Sequence, residues 1–136
     1  MARGFPAVIR SNRGNAVIEF ALVLPLLLLV CFGITEFGRA WMTMNILTSA
    51  AREGVRLAAV TAPDVAAVTQ RVQDVCSAAR VVPSNITVDP PDPNDTERRV
   101  TVTVETQFSV IPGKILGTFS GTFPLHATSV MRHEAQ

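Results

Sequence analysis

Glu19 is the residue whose chemical type and position most need an explanation. It is the only charged residue between Asn15 and Thr35, a run otherwise made of apolar and small residues. Moving a carboxylate toward the centre of a bilayer costs about 2.5 to 3.5 kcal/mol on insertion scales. Two interpretations are open. Glu19 either lies close enough to the interface for water and lipid head groups to solvate it, or it has a charged partner.

The other residues that could do chemistry do not form a recognisable site. His126 and His133 have no cysteine or acid at a metal-ligand spacing, and no nucleophile is paired with a base. Cys31 and Cys76 fall on different predicted elements, so no intramolecular disulfide is expected. Three aspartates in the segment 89–95 do not match the spacing of a calcium loop. We therefore expect no enzyme activity, no metal and no cofactor.

Charge is distributed unevenly along a chain of 136 residues with a net charge of +1. Arg3, Arg10 and Arg13 fall within the first fourteen residues, which contain no acid, and the remainder carries nine basic against eleven acidic residues. The near-neutral balance and the lack of a basic stripe argue against a nucleic-acid partner. A basic flank before an apolar helix predicts a cytoplasmic N-terminus.

The apolar run predicts one membrane-spanning helix over residues 15–35. Its 21 residues are close to the ~20 that a helix needs to cross the hydrocarbon layer. Pro25 should loosen the helix locally, which membrane helices tolerate. A cleaved secretory signal ending near residues 38–40 is the competing interpretation, but the apolar run is longer than such signals and the site is interrupted by charges.

Helical periodicity continues beyond the predicted span to about Val60. Apolar residues recur at steps of three and four, with Trp41 placed to mark the outer membrane interface. This stripe contains Phe37, Trp41, Met44, Leu47, Ala51, Val55 and Ala58. Either the chain's own domain or neighbouring copies of the chain could cover it.

The remaining residues predict a second helix followed by strands. The helix begins after Pro63 and Asp64 and runs to about Arg80. Strands are expected at 85–89, 98–110 and 122–131, with Pro124 restricting the last to a sheet edge. The fold class is therefore α+β: a long N-terminal helix, membrane-spanning in its first half, then a second helix and a small antiparallel sheet.

A family resemblance is carried by the basic leader that ends in Gly14, by Glu19 and Phe20 after four intervening residues, and by the stretches "VIEFALVLPLLLLVCFGITEFGRAW" and "AAREGVRLAA". This pattern resembles the TadE-like family, the minor pilins or pseudopilins of tight-adherence, type IV-like pilus systems. The resemblance implies a pilin-like fold and cleavage between Gly14 and Asn15 by a prepilin peptidase. It also implies that Glu19 pairs with the Asn15 amine of a neighbouring subunit.

The sequence and the resemblance together predict three regions and a location. Residues 1–14 are a leader, residues 15–35 span the lipid bilayer, and residues 36–136 form an exported domain. We expect a single-pass protein of the bacterial inner membrane whose C-terminal domain is periplasmic. Its partners would be the peptidase, other pilins or pseudopilins, and inner-membrane pilus assembly proteins. The alternative function is an uncleaved, membrane-anchored module that binds an envelope protein.

Overall fold

The computed structural model describes residues 12–60, 64–91, 96–111 and 121–133. The chain divides into two compact units, Met1–Thr35 and Glu36–Gln136. Most of the predicted leader lies outside the described residues, as do two of the three loop aspartates. The described elements are two helices and three strands, in the order helix, helix, strand, strand, strand, so the α+β prediction is confirmed.

Helix α1 comprises 49 residues, Asn12–Val60. It contains Pro25 and continues through it. The predicted local loosening at Pro25 stays a prediction. The helix begins before Gly14, so the predicted cleavage bond between Gly14 and Asn15 lies inside the first turns of α1. The helix prediction from Asn15 to Val60 is confirmed, with three additional residues at the start.

Helix α2, Val65–Ala78, begins at a side-chain cap. The Asp64 carboxylate accepts hydrogen bonds from the backbone N–H groups of Ala66 at 3.0 Å and Ala67 at 3.4 Å. An acidic N-cap satisfies donors that have no partner within the helix and complements the positive end of its dipole. The apolar face of α2 buries Val68, Val72 and Cys76.

The end of α2 comes two residues earlier than the sequence prediction. Arg80 has a φ of +58°, in the left-handed region. The N–H of Val81 donates to the carbonyl of Cys76 at 2.9 Å, and the N–H of Arg80 donates to that of Ser77 at 2.9 Å. These two bonds form a Schellman motif, which normally has glycine at the left-handed position. Because arginine at that position is not typical of a helix end, the sequence did not indicate that α2 ends at Ala78.

The strands form one antiparallel sheet in the order β1, β2, β3. Their bounds are Asn85–Asp89, Arg99–Ser109 and Thr122–Arg132, within one residue of the predicted ends. Ile86 pairs with Val104 on one side of β2, and Phe108 pairs with Phe123 on the other. Pro124 lies in the edge strand β3, as predicted.

The hydrophobic core lies in the Glu36–Gln136 unit, between the second half of α1, the apolar face of α2 and the central strand β2. Its buried residues include Leu47, Ala50, Ala51, Val55, Ala58, Val68, Val72, Cys76, Val100, Val102, Val104 and Ala127. Thr106 interrupts the apolar row of β2, and its hydroxyl donates to the Val82 carbonyl at 2.7 Å. A buried hydroxyl is tolerated when it is hydrogen-bonded in this way.

Gly54 is where three elements approach most closely. A Cβ on this residue would stand 2.6 Å from Cγ2 of Val72 and 3.3 Å from Cγ1 of Val102. Both valines are fully buried, so neither can move easily. Glycine at this position lets α1 pack directly against α2 and β2.

The apolar stripe of α1 is covered only in its later part. Leu47, Ala51, Val55 and Ala58 are buried, whereas Phe37, Trp41 and Met44 are exposed. The interpretation that the chain's own domain covers the stripe therefore holds from Leu47 onward and fails before it. Two apolar residues of β3, Phe123 and Met131, are likewise exposed.

Candidate assembly segment of helix α1

Glu19 is an exposed residue of α1. Its Oε1 accepts a hydrogen bond from the Asn15 side-chain amide one turn earlier, at 3.4 Å. That distance is beyond the usual range for an N–H···O bond, so the contact is weak. Within the part of the chain that the structure describes, Glu19 forms no ion pair. The carboxylate is exposed and has only this weak contact among the described residues.

Gly14 has open space around the position that a Cβ would occupy. The same is true of Gly33 and Gly38, in contrast to Gly54. Glycine in a helix interior is about 1 kcal/mol less favourable than alanine, so an unpacked glycine has a cost without a benefit to the fold. No packing contact of the described residues therefore requires glycine at position 14.

Phe20 belongs to a continuous exposed apolar surface on α1. The exposed side chains of this surface are Val17, Ile18, Phe20, Leu22, Val23, Leu26, Leu27, Leu28, Leu29, Val30, Phe32 and Ile34. By length and composition, the described helix from Gly14 to Val60 is a candidate membrane span. An apolar surface that the chain leaves uncovered on all sides of a helix matches a lipid environment. This supports single-pass membrane anchoring.

A second cluster, not predicted as a site, involves Glu36 and Arg39. Nη1 of Arg39 lies 2.9 Å from Oε1 and 3.2 Å from Oε2 of Glu36, three residues earlier on α1. The guanidinium carbon also lies 4.8 Å from the centroid of the Phe108 ring, at the end of β2. The Arg39 side chain therefore takes part in an ion pair, in hydrogen bonds and in a cation–π contact.

The same pair connects α1 to the backbone at the end of β2. Nη2 of Arg39 donates to the Ser109 carbonyl at 3.3 Å, and the N–H of Ile111 donates to Oε1 of Glu36 at 3.3 Å. The Glu36 side chain is 14% exposed and that of Arg39 is 41% exposed. The spacing of three between an acid and an arginine was visible in the sequence, but the backbone partners some seventy residues away were not.

Comparison with protein families adds one match. Residues 14–56 match the family of TadE-like proteins. The resemblance predicted from the sequence is confirmed over this range, which we call the TadE-like segment, and it indicates involvement in a tight-adherence pilus system. No curated protein and no solved structure matches the chain.

The TadE-like segment contains every residue of the predicted site. It begins at Gly14, includes Asn15, Glu19 and Phe20, and ends inside α1. The predicted roles of these four residues, in leader cleavage and in subunit assembly, stay predictions. The structure places them on the first turns of one helix, with Asn15 and Glu19 in contact and Phe20 pointing into open space.

Groups that could support catalysis remain apart in the described residues. Cys31 is exposed within the TadE-like segment, and Cys76 is buried in the core; both thiols are free. Burial raises the pKa of the Cys76 thiol, which makes it less reactive. The described part of the chain holds no cluster of three histidine, cysteine or acidic residues arranged for a metal ion.

Proposed function

We propose that this protein is a minor pilin or pseudopilin that a prepilin peptidase processes after Gly14 and that takes part in assembling a tight-adherence pilus for surface attachment. The observation that carries the proposal is the family match, which begins at Gly14 itself and ends at residue 56. It covers both the predicted cleavage bond and Glu19. The role is structural rather than enzymatic.

The local structure around Gly14 is compatible with cleavage. The bond to Asn15 lies within α1, so a peptidase must unwind the first turns of the helix before it can cut. Glycine lowers the cost of unwinding because it is the weakest helix former after proline. The open space beside Gly14 also leaves that position accessible to a partner.

Cleavage would create the cation that Glu19 lacks. The new α-amino group of Asn15 is positive at neutral pH, and Glu19 of a neighbouring subunit could pair with it. An unpaired carboxylate is costly in lipid, and two opposite charges that meet there compensate each other when the geometry is good. The pair would favour one axial stagger between adjacent helices, since any other stagger leaves both charges without partners.

The proposed location follows from the charge pattern and the candidate span. The arginines of the leader keep the N-terminus in the cytoplasm, and residues 15–35 cross the inner membrane. Residues 36–136 then form the periplasmic domain. The partners are the peptidase, other pilins or pseudopilins, inner-membrane assembly proteins and the lipid bilayer, with no nucleic acid.

The test is the mass and N-terminal sequence of the protein isolated from its native membrane, for the natural chain and for two glycine variants. We expect the natural chain to start at Asn15, and Gly14→Ala to block processing. Gly33→Ala is the matched control, because that glycine also lies in α1 with open space around it. It should be processed normally.

Other starting residues would contradict the proposal. A natural chain that starts at Met1 or Ala2 would favour the uncleaved envelope-binding module. A start at Trp41 would indicate a secreted domain. Normal processing of Gly14→Ala would place the cleavage site elsewhere.

A further inference from the structure

Exposed apolar side chains from two different elements lie at one end of the Glu36–Gln136 unit. On α1, the rings of Phe37 and Trp41 stack with centroids 6.3 Å apart and remain 70% and 63% exposed. On the sheet, Ile111 follows β2 and Phe123 lies at the start of β3, and both are about half exposed. We call these four residues the proximal apolar surface.

Contacts within the unit place the two halves of this surface at the same end. Arg39 comes between Phe37 and Trp41 in sequence, projects from another side of α1 at the same level along the helix, and contacts the Phe108 ring and the Ser109 carbonyl. Phe108 is the register partner of Phe123 on β3. The Ile111 N–H donates to the Glu36 carboxylate. This bond holds Ile111, two residues after the end of β2, beside the part of α1 with which the unit begins.

In sequence, this end of the unit directly follows the predicted membrane span. Glu36 directly follows Thr35, the last residue of the predicted span. The boundary between lipid and water therefore falls at the residues that begin the unit. Aromatic rings are favoured at that boundary.

We propose that the proximal apolar surface rests in the head-group region of the membrane that the TadE-like segment crosses, so that the sheet as well as the helix touches lipid. The Glu36–Arg39 pair is a positioning contact that holds the start of β3 and the end of β2 against α1. This proposal rests on the membrane anchoring in the proposed function. It adds a second lipid contact, made by Ile111 and Phe123.

Tryptophan fluorescence can measure this contact because Trp41 is the only tryptophan in the chain. The full chain is reconstituted in vesicles of phosphatidylethanolamine and phosphatidylglycerol, with or without bromine atoms near the top of the acyl chains. Bromine quenches a tryptophan that touches it. Trp41 of the natural chain reports the helix, and Phe123→Trp in a Trp41→Phe background reports the sheet.

Met131→Trp in the same background is the matched control. Met131 is exposed, lies on the same strand and the same side as Phe123, and is about 26 Å farther along β3. We expect brominated vesicles to quench Trp41 and the tryptophan of Phe123→Trp to a similar extent. The tryptophan of Met131→Trp should keep its emission. Ile111→Trp is a second reporter if Phe123→Trp fails to fold.

The outcomes separate this proposal from the one on which it rests. If Trp41 itself is not quenched, membrane anchoring of α1 at this point is wrong. If Trp41 is quenched but neither sheet reporter is, only the lipid contact of the sheet is overturned. Blue-shifted sheet reporters that bromine does not quench would indicate a second copy of the chain on this surface instead.

The role of the Glu36–Arg39 pair is tested with Arg39→Gln. The substitution removes the charge from the contacts with Glu36 and Phe108. Quenching of the tryptophan in Phe123→Trp should fall, while quenching of Trp41 should remain. Unchanged quenching at the sheet would overturn the positioning role.

Discussion

One helix has two regions whose surroundings are opposite. In the first region, Leu22 is 78% exposed, and in the second region Leu47 is fully buried. The glycines divide in the same way, since Gly33 has open space where a Cβ would be and Gly54 would place a Cβ 2.6 Å from a buried valine. Leucine and glycine are therefore unpacked in the first region and closely packed in the second.

This difference shows which region of α1 the chain itself covers. The buried region of α1 has its apolar partners within the chain, on α2 and β2. The exposed region has apolar side chains all around the helix and none of the chain's own core against them. The family match, residues 14–56, includes this exposed region and much of the buried one.

Glu19→Gln gives the largest effect that we expect, on assembly rather than on folding. The substitution keeps the shape of the side chain and removes its charge, so the proposed pairing with a neighbouring Asn15 amine is lost. We expect the variant to insert in the membrane normally, because a charge has been removed from the apolar run. Its amount in sheared pili should fall strongly relative to the natural chain.

Glu53→Gln is the control for that experiment. Glu53 lies in the same helix and pairs with Arg71 at 3.5 Å, and both side chains are about half accessible to water. Exposed pairs of this kind contribute little to stability. We expect near-normal incorporation of this variant. Incorporation of Glu19→Gln at the same level as Glu53→Gln would mean that the two carboxylates do not differ in role.

Gly54→Ala tests the difference between the two regions of α1 by its effect on the free energy of unfolding. The new Cβ must displace Val72, which is fully buried on α2, and overpacking of this kind typically costs 1 to 3 kcal/mol. Alanine recovers part of this through its better helix propensity. We expect a net loss of about 1 to 2 kcal/mol, measured by urea unfolding of the full chain in detergent micelles.

Gly33→Ala is the matched variant in the exposed region. It makes the same chemical change in the same helix, where nothing lies within 4 Å of the new atom. Its urea midpoint should be unchanged or slightly higher. If the two variants shifted the midpoint equally, the close contact at Gly54 would not describe the protein in solution.

Much of this fold was predictable from local pattern. Period-two alternation predicted a strand at 98–110, where the structure has β2 with Val100, Val102, Val104 and Phe108 buried, and helical periodicity predicted α1 to its last residue. Periodicity did not reveal that Phe37 and Trp41 would be left uncovered. An apolar stripe indicates which face of a helix is suited to burial, whereas tertiary packing decides whether the chain itself covers it.

The residues of the candidate segment also differ in how far the sequence reveals them. Glu19 stands out in the sequence because a lone charge in an apolar run is costly. The Glu36–Arg39 cluster does not, because its meaning comes from Ser109 and Ile111, which only the fold brings near. Local chemistry can be found from local sequence, and contacts between distant segments require the structure.

Arg80→Gly is the smallest effect that we predict, and it tests the end of α2 directly. Arg80 adopts a φ of +58° at the left-handed position of a Schellman motif. A side chain there is strained by roughly 1 to 2 kcal/mol, and glycine removes that strain at some cost in unfolded-state entropy. We expect a gain of about 0.5 to 1 kcal/mol, seen as a rise in Tm of about 2 to 6 °C.

Arg80→Ala separates relief of backbone strain from loss of the positive charge. It removes the same guanidinium but keeps the Cβ that clashes in the left-handed conformation. Its Tm should therefore stay close to that of the natural chain, below that of Arg80→Gly. Equal stabilisation by both substitutions would assign the gain to the charge and would contradict the strained cap as the reason why α2 ends at Ala78.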